Sequence, residues 1–308
     1  MNERRTASQM HTEELVAAHA SVLAGTGVTS RYVEAVPGEH VHVLEHGQGK
    51  PALMLHGSGP TALQFLPLIT QIPDSSVIAV DRPGFGLSDP HDWPEDRRQA
   101  AVEWIDQLLE ALDLETVDLL GSSAGGTWAI WYAIAHPGQL TNLVLLGAPP
   151  TLTVNAPPAP LRMVASIDPA NPPPLPPPSR DTVIQSMAGM GEGDTITKYP
   201  AQIEAMVAAA KDPITGRASL DELKALISAD GWQLGVETPI DELGELKAPT
   251  LLIWGDNDPL GGTQAAQQTA NAIPQSQLEI VHAGHGPWLG QPKKIAERIT
   301  QFIRPPRT

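Results

Sequence analysis

Cysteine is absent from this 308-residue chain, so disulfides, thiolate metal sites and cysteine nucleophiles are excluded at the outset. Basic residues are scarce: 19 Lys and Arg stand against 35 Asp and Glu, a formal net charge of −16. Nucleic acid and anionic membranes would repel so negative a surface, and neither is expected as a partner. No stretch approaches the roughly 18 uncharged apolar residues that a membrane-spanning helix needs. After Met1-Asn2-Glu3-Arg4-Arg5 no apolar run of signal length follows, because His11, Glu13 and Glu14 interrupt it, so a cytoplasmic protein is expected. A Gly-rich phosphate loop and a ligand-spaced His/Asp cluster are also missing, and neither cofactor nor metal is expected.

What is present is an ordinary globular composition, 41% hydrophobic and 18% charged, long enough for one large domain or two small ones. Residues 1–30 read as a polar lead-in and one packing helix through Leu15, Val16, His19, Val22 and Leu23, an N-terminal extension without chemistry. From Arg31 to Glu45 the period changes to two around a Pro37-Gly38 turn, which predicts an antiparallel hairpin. His40, His42 and His46 on or beside it are expected as solvated strand positions. Apolar strands at 52–55, 77–80, 117–120 and 143–146 then alternate with helical patterns, including an amphipathic stretch over 94–112. The alternation resumes with strands at 250–254 and 278–281 and a closing helix over 291–303. Near-continuous apolar strands separated by helices predict a mostly parallel sheet covered on both faces, in a core of residues 31–148 and 247–308.

Residues 149–246 differ. Twelve of the 31 prolines lie within 149–178, a density that predicts a polyproline-like spacer. Helical patterning follows over 181–190, 199–211 and 219–227. A helical insertion at the carboxyl edge of an α/β sheet would lie over the ligand site, so 149–246 is expected to be a cap that shapes the pocket.

The chemistry centres on Gly121-Ser122-Ser123-Ala124-Gly125, a G-x-S-x-G stretch between a strand and a helix. A serine hydroxyl attacks well only when a base takes its proton and a third group holds that base. Gly255-Asp256-Asn257-Asp258 and Gly284-His285-Gly286 follow later strands, which brings Ser, Asp and His to one sheet edge in the required order. Asp256 and Asp258 both compete for the acid, with Asp258 favoured because the first Asp of such a loop is often spent on turn hydrogen bonds. His285, between two glycines, has more freedom to reach Ser123 than His282 at the strand end. Oxyanion donors are expected from the backbone N–H of Ala124 and, in His56-Gly57-Ser58-Gly59, from that of Ser58. His56 is read as a brace for that loop.

Four segments together resemble the α/β-hydrolase superfamily, in its cap-bearing branch with a serine nucleophile. They are His56 to Pro60, Asp81-Arg82-Pro83-Gly84-Phe85-Gly86-Leu87-Ser88-Asp89, Gly121 to Gly126, and the Gly255–Asp258 and Gly284–Trp288 pair. The resemblance implies an eight-stranded sheet with the roles given above. Serine in the elbow, where dehalogenases and epoxide hydrolases carry Asp, separates the chain from those branches. The His-Gly-Ser-Gly-Pro loop is similar to that of carbon–carbon hydrolases of ring-fission products. This chain departs from them with Thr61 in place of a further glycine and Ala124 in place of Met.

The leading expectation is a serine hydrolase cleaving an ester, lactone or related acyl bond of a small, largely apolar molecule. Hydrolytic carbon–carbon cleavage of a ring-fission-type diketone is the alternative within the same site. A non-catalytic ligand-binding protein on the same fold is the alternative from another class. Trp128, Trp131, Trp288 and Met187 or Met190 are candidate pocket residues. Oligomeric state is not written in the sequence.

Overall fold

The computed structural model describes residues 10–59, 61–73, 75–168, 176–233 and 235–304. Residues 1–9, Pro60 and Pro172–Leu175, on which parts of the expectations fall, lie outside them.

Eight strands form one sheet: β1 (Thr29–Val36), β2 (Glu39–His46), β3 (Lys50–Leu55), β4 (Ser75–Val80), β5 (Val117–Ser122), β6 (Leu140–Leu146), β7 (Thr250–Gly255) and β8 (Ser276–Val281). Their order is β1-β2-β4-β3-β5-β6-β7-β8, with β1 and β2 antiparallel to their neighbours and every other pairing parallel. The inner strands read as apolar runs because both faces are covered. Side chains alternate between faces, so Leu53, Leu119, Leu143 and Leu145 join one core layer while Met54, Leu120, Val144 and Leu146 join the other. Edge strands β1 and β8 keep polar, exposed positions, as an unpaired edge demands.

The covering helices are α1 (Glu13–Leu23), α2 (Leu66–Ile69), α3 (Arg97–Ala111), α4 (Ala124–Ala135), α10 (Thr263–Ala272), α11 (Pro287–Gly290) and α12 (Pro292–Ile303). Thr12 caps α1 by accepting from Leu15 N, and Asp96 caps α3 by accepting from Gln99 N. Among the described residues no helix is long and apolar enough to cross a membrane.

Between β6 and β7 the chain forms α5 (Ala159–Ala165), α6 (Arg180–Gly189), α7 (Gly193–Ile196), α8 (Pro200–Lys211) and α9 (Pro213–Leu226). The two ends of this insertion are tied together, Thr238 N donating to Thr151 O at 2.9 Å and Thr153 N to Thr238 O at 3.2 Å. Helix α1 packs on the insertion: Leu15 is buried with Leu87, Ala208 and Ala209.

Three expectations are corrected. α5 is a helix inside the proline-dense stretch, because its prolines fall at the first turn, where the missing N–H costs nothing. α9 begins six residues before the expected Ser219, since Asp212 caps it and Pro213 opens it. His42 is not solvated. It is fully buried, donating from Nδ1 to Asp81 Oδ2 and hydrogen-bonded through Nε2 to Ser30 Oγ, at 2.7 Å each.

Candidate active site

β5 ends at Ser122, and Ser123 turns the chain into α4 with φ 53° and ψ −125°. A non-glycine residue persists in so sparsely populated a region only where its surroundings fix it. Those surroundings are crowded. A Cβ on Gly125 would collide with the carbonyl oxygens of Leu55 and His56, and one on Gly57 would sit 2.7 Å from Ser123 Cβ. The loop after β3 therefore lies directly against Ser123. Ala124 N is the first amide of α4 and, like any helix-opening N–H, lacks an intrahelical acceptor.

His56 is buried and holds the loop from below. Its Nε2 accepts from Arg82 N at 2.9 Å, which leaves the proton on Nδ1 to donate to Gly57 O at 2.7 Å. Burial, with the nearby Arg82 charge, lowers the His56 pKa to about 4, so the ring is neutral. That is the bracing role expected from the sequence.

The two Asp–His choices resolve into two pairs. Asp258 Oδ2 lies 2.8 Å from His285 Nδ1, and the same carboxylate accepts from Ala148 N at 2.9 Å and Leu260 N at 3.0 Å. Its side chain is wholly buried, and these donors fix it in one orientation. Asp256 holds His282 at 3.0 Å instead, on the surface, where the His282 ring is 86% exposed. A proton on His285 Nδ1, donated to Asp258, leaves Nε2 as the basic nitrogen. His285 Nε2 is buried and has no hydrogen-bond partner among the described residues. The structure thus joins Asp258 to His285 but places no hydrogen bond between His285 and Ser123. Ser122 is buried within β5.

Sequence reasoning missed what the insertion does here. His285 N donates to Met190 O at 2.8 Å, while Gly284 N and Gly286 N donate to Glu192 Oε1 at 2.9 and 3.2 Å. Three successive amides of the histidine loop are therefore held by residues between α6 and α7. Burial raises the Glu192 pKa despite these donors. No motif marks Glu192, and only a long-range contact reveals it.

Arg82 follows Asp81 at the end of β4, in a stretch whose sequence assigns it no role. Its side chain is buried and forms a bidentate pair with Glu222 of α9, at 2.5 and 2.9 Å. A cavity of about 430 Å3 adjoins this pair and is lined by Phe85, Trp93, Trp128 and Arg97 among others. Of the candidate pocket residues, Trp128 lies on that wall, Met187 lines a smaller cavity with Leu63 and Leu289, and Trp131 and Trp288 are core.

One ligand-like cluster does form in space. His19, His42 and Asp81 bring donor atoms within 4.8 Å of one another, all buried. Asp81, however, already accepts from Ala62 N at 2.7 Å, Leu87 N at 3.1 Å and His42 at 2.7 Å. Its donors are committed to a hydrogen-bond network that ties β2, β4 and the following loop. Burial alone would raise the Asp81 pKa, but the hydrogen bond and charge of His42 hold it well below the usual carboxylate range.

Comparison with known proteins agrees with this fold. A family model described as the alpha/beta hydrolase fold matches residues 50–290. A 2-hydroxy-6-oxononadienedioate/2-hydroxy-6-oxononatrienedioate hydrolase of Cupriavidus pinatubonensis is 27% identical over 290 residues, 89% of this chain and 95% of that protein. A pimeloyl-acyl-carrier-protein methyl ester esterase of a Shewanella species is 28% identical, covering 85% of this chain and 94% of its own length. Among solved structures, a carboxylesterase from Bacillus subtilis superposes with a TM-score of 0.75 at 21% identity, over 95% of this chain and 99% of that one. A meta-cleavage product hydrolase from Pseudomonas fluorescens gives 0.72 at 20% identity, over 89% of this chain and 97% of that one. At these identities the structural likeness is one of fold.

Proposed function

The chain belongs to the α/β-hydrolase family and is a hydrolase, and from that premise we propose that it cleaves an ester, lactone or related acyl bond of a small, largely apolar molecule through Ser123, His285 and Asp258. The observation that carries the proposal is the buried 2.8 Å Asp258–His285 pair, whose loops leave the same edge of the parallel sheet as the strained serine that follows β5.

In this mechanism Ser123 Oγ attacks the acyl carbon while His285 Nε2 takes its proton. Asp258 holds the imidazole in the tautomer that leaves Nε2 basic and stabilises the imidazolium that follows. The negative oxygen of the tetrahedral intermediate is received by the Ser58 and Ala124 amides, each donor contributing about 10²–10³ in rate. The imidazolium then protonates the leaving alcohol. Water, activated by the same nitrogen, hydrolyses the acyl-serine and restores the enzyme. Residues 149–246 act as the cap, supplying Glu192 to the histidine loop and Glu222 to the wall beside Ser58.

A second reading, hydrolytic carbon–carbon cleavage, is favoured by one observation, the oxononadienedioate hydrolases among the relatives. The deciding experiment profiles esters of graded acyl length against a ring-fission diketone, with wild type beside Ser123→Ala, and labels the folded protein with a fluorophosphonate. Ser123-dependent ester turnover with an adduct on Ser123 supports the acyl reading. Diketone turnover far above ester turnover transfers the site to carbon–carbon cleavage, and an unlabelled Ser123 overturns both.

A further inference from the structure

The Arg82–Glu222 pair joins residues 140 apart in sequence and sits between the Ser58 loop and the cavity. Arg82 has every feature of a carboxylate receptor. Its guanidinium is a planar fork, permanently charged and wholly buried. It lies 5.0 Å from the Phe85 ring centroid and 4.6 Å from that of Trp128, which fixes its plane. Its own backbone N–H is held by His56. The receptor is filled by Glu222, presented from α9, and the Ser58 hydroxyl lies close to that carboxylate. Burial would raise the Glu222 carboxyl, but the Arg82 charge outweighs it and keeps it below the ordinary glutamate range, ionised at neutral pH.

A carboxylate on an incoming substrate would have to displace Glu222 from Arg82. Glu222 is tethered to the same chain, and the displaced anion would be left largely buried and unpaired beside the new one. Like charges brought together in a desolvated site are strongly rejected. A neutral acyl chain meets no such competition, and Phe85, Trp93 and Trp128 offer it apolar surface.

We propose that Glu222 is a specificity-determining residue: by occupying Arg82 next to the Ser58 loop, it reserves the site for uncharged acyl substrates. The inference rests on the acyl-hydrolase reading and narrows it. It also sets this chain apart from relatives named for dienedioates, which carry two carboxylates.

The test compares 4-nitrophenyl pentanoate with the mono-4-nitrophenyl ester of succinic acid, similar in length but bearing a terminal carboxylate. Wild type is expected to favour the neutral ester by about 100-fold in kcat/KM. Glu222→Gln is expected to narrow that ratio about tenfold or more, through a lower KM for the succinate ester, because Arg82 is then free to bind it. Arg82→Met/Glu222→Met, which unmasks no cation, should not gain the succinate ester. Glu204→Gln, the same change of charge at an exposed site on α8, should leave the ratio as in wild type. A wild type that cleaves the succinate ester as well as the pentanoate overturns the inference, even if Glu222→Gln does not fold. So does a folded Glu222→Gln with an unchanged ratio. Ester turnover that survives Ser123→Ala overturns the acyl-hydrolase reading instead, and this inference with it.

Discussion

Glu192 accepts a hydrogen bond from the Gly284 amide at 2.9 Å, joining positions 92 residues apart. The same oxygen takes Gly286 N at 3.2 Å, so one carboxylate from the insertion grips both residues flanking His285. Under the proposed mechanism Glu192 is a positioning residue. Glu192→Ala should lower kcat roughly 10- to 100-fold with KM nearly unchanged, as expected for a misplaced base. Glu192→Gln keeps an acceptor oxygen and should recover most of the loss. Steady-state kinetics on the two variants check it, and a matching rise in KM for both would count against the idea.

The two Asp–His pairs should separate cleanly. Asp258→Asn keeps the size of the side chain but replaces one of its two accepting oxygens with an N–H donor and no longer enforces the tautomer of His285, and kcat should fall by about 10⁴. Asp256→Asn alters only exposed contacts, with His282, Ala283 N and the Asn257 amide, so turnover and stability should both stay close to wild type. Fluorophosphonate labelling rates of Ser123 in the two variants give the same comparison without a substrate.

His19 makes stability depend on pH. Burial lowers its pKa from 6.5 to about 4, partly offset by the Asp81 carboxylate. The unfolded chain takes up this proton below pH 6.5 and the folded chain only near pH 4. Stability is therefore constant in this respect above 6.5 and falls as pH drops from 6.5 towards 4. The share lost is about 3 kcal/mol. His56, lowered to the same value, adds a similar loss over the same window. Urea unfolding across this range should show the slope, and His19→Gln should remove its own part. An unchanged slope in that variant would falsify the assignment.

Asp212 serves two helices. It caps α9 through Ile214 N and Thr215 N, and it receives Thr12 N at 2.9 Å and His11 Nδ1 at 3.2 Å from the start of α1. Asp212→Ala should cost about 1–2 kcal/mol for the cap alone, and more for the unpaired donors near α1. Proteolysis within residues 10–24 should become faster in the variant than in wild type.

The sheet, its order of strands and helices, and the loops bearing Ser123, Asp258 and His285 were legible because period and turn chemistry are local. Gly121 and Gly125 announce a backbone too close for side chains, and the Asp258 loop follows an apolar strand. What was not legible depends on contacts across the chain. His42 reads as a polar strand residue until Asp81 and Ser30 are seen to satisfy both its nitrogens. Glu192, between two helices, and Glu222, within a helical pattern, are ordinary acidic residues, and only the folding of the insertion onto the core gives them work. The helix at Ala159–Ala165 was hidden by the prolines that start it.

The backbone at Ser123 sets the molecule's interests against each other. Held at φ 53°, a serine there costs about 1–3 kcal/mol that glycine would not incur. Ser123→Gly is therefore expected to melt at a higher temperature than Ser123→Ala while being equally inert. A lineage screened for thermal endurance alone would drift towards glycine at this turn, so under the proposed mechanism the serine trades durability for chemistry.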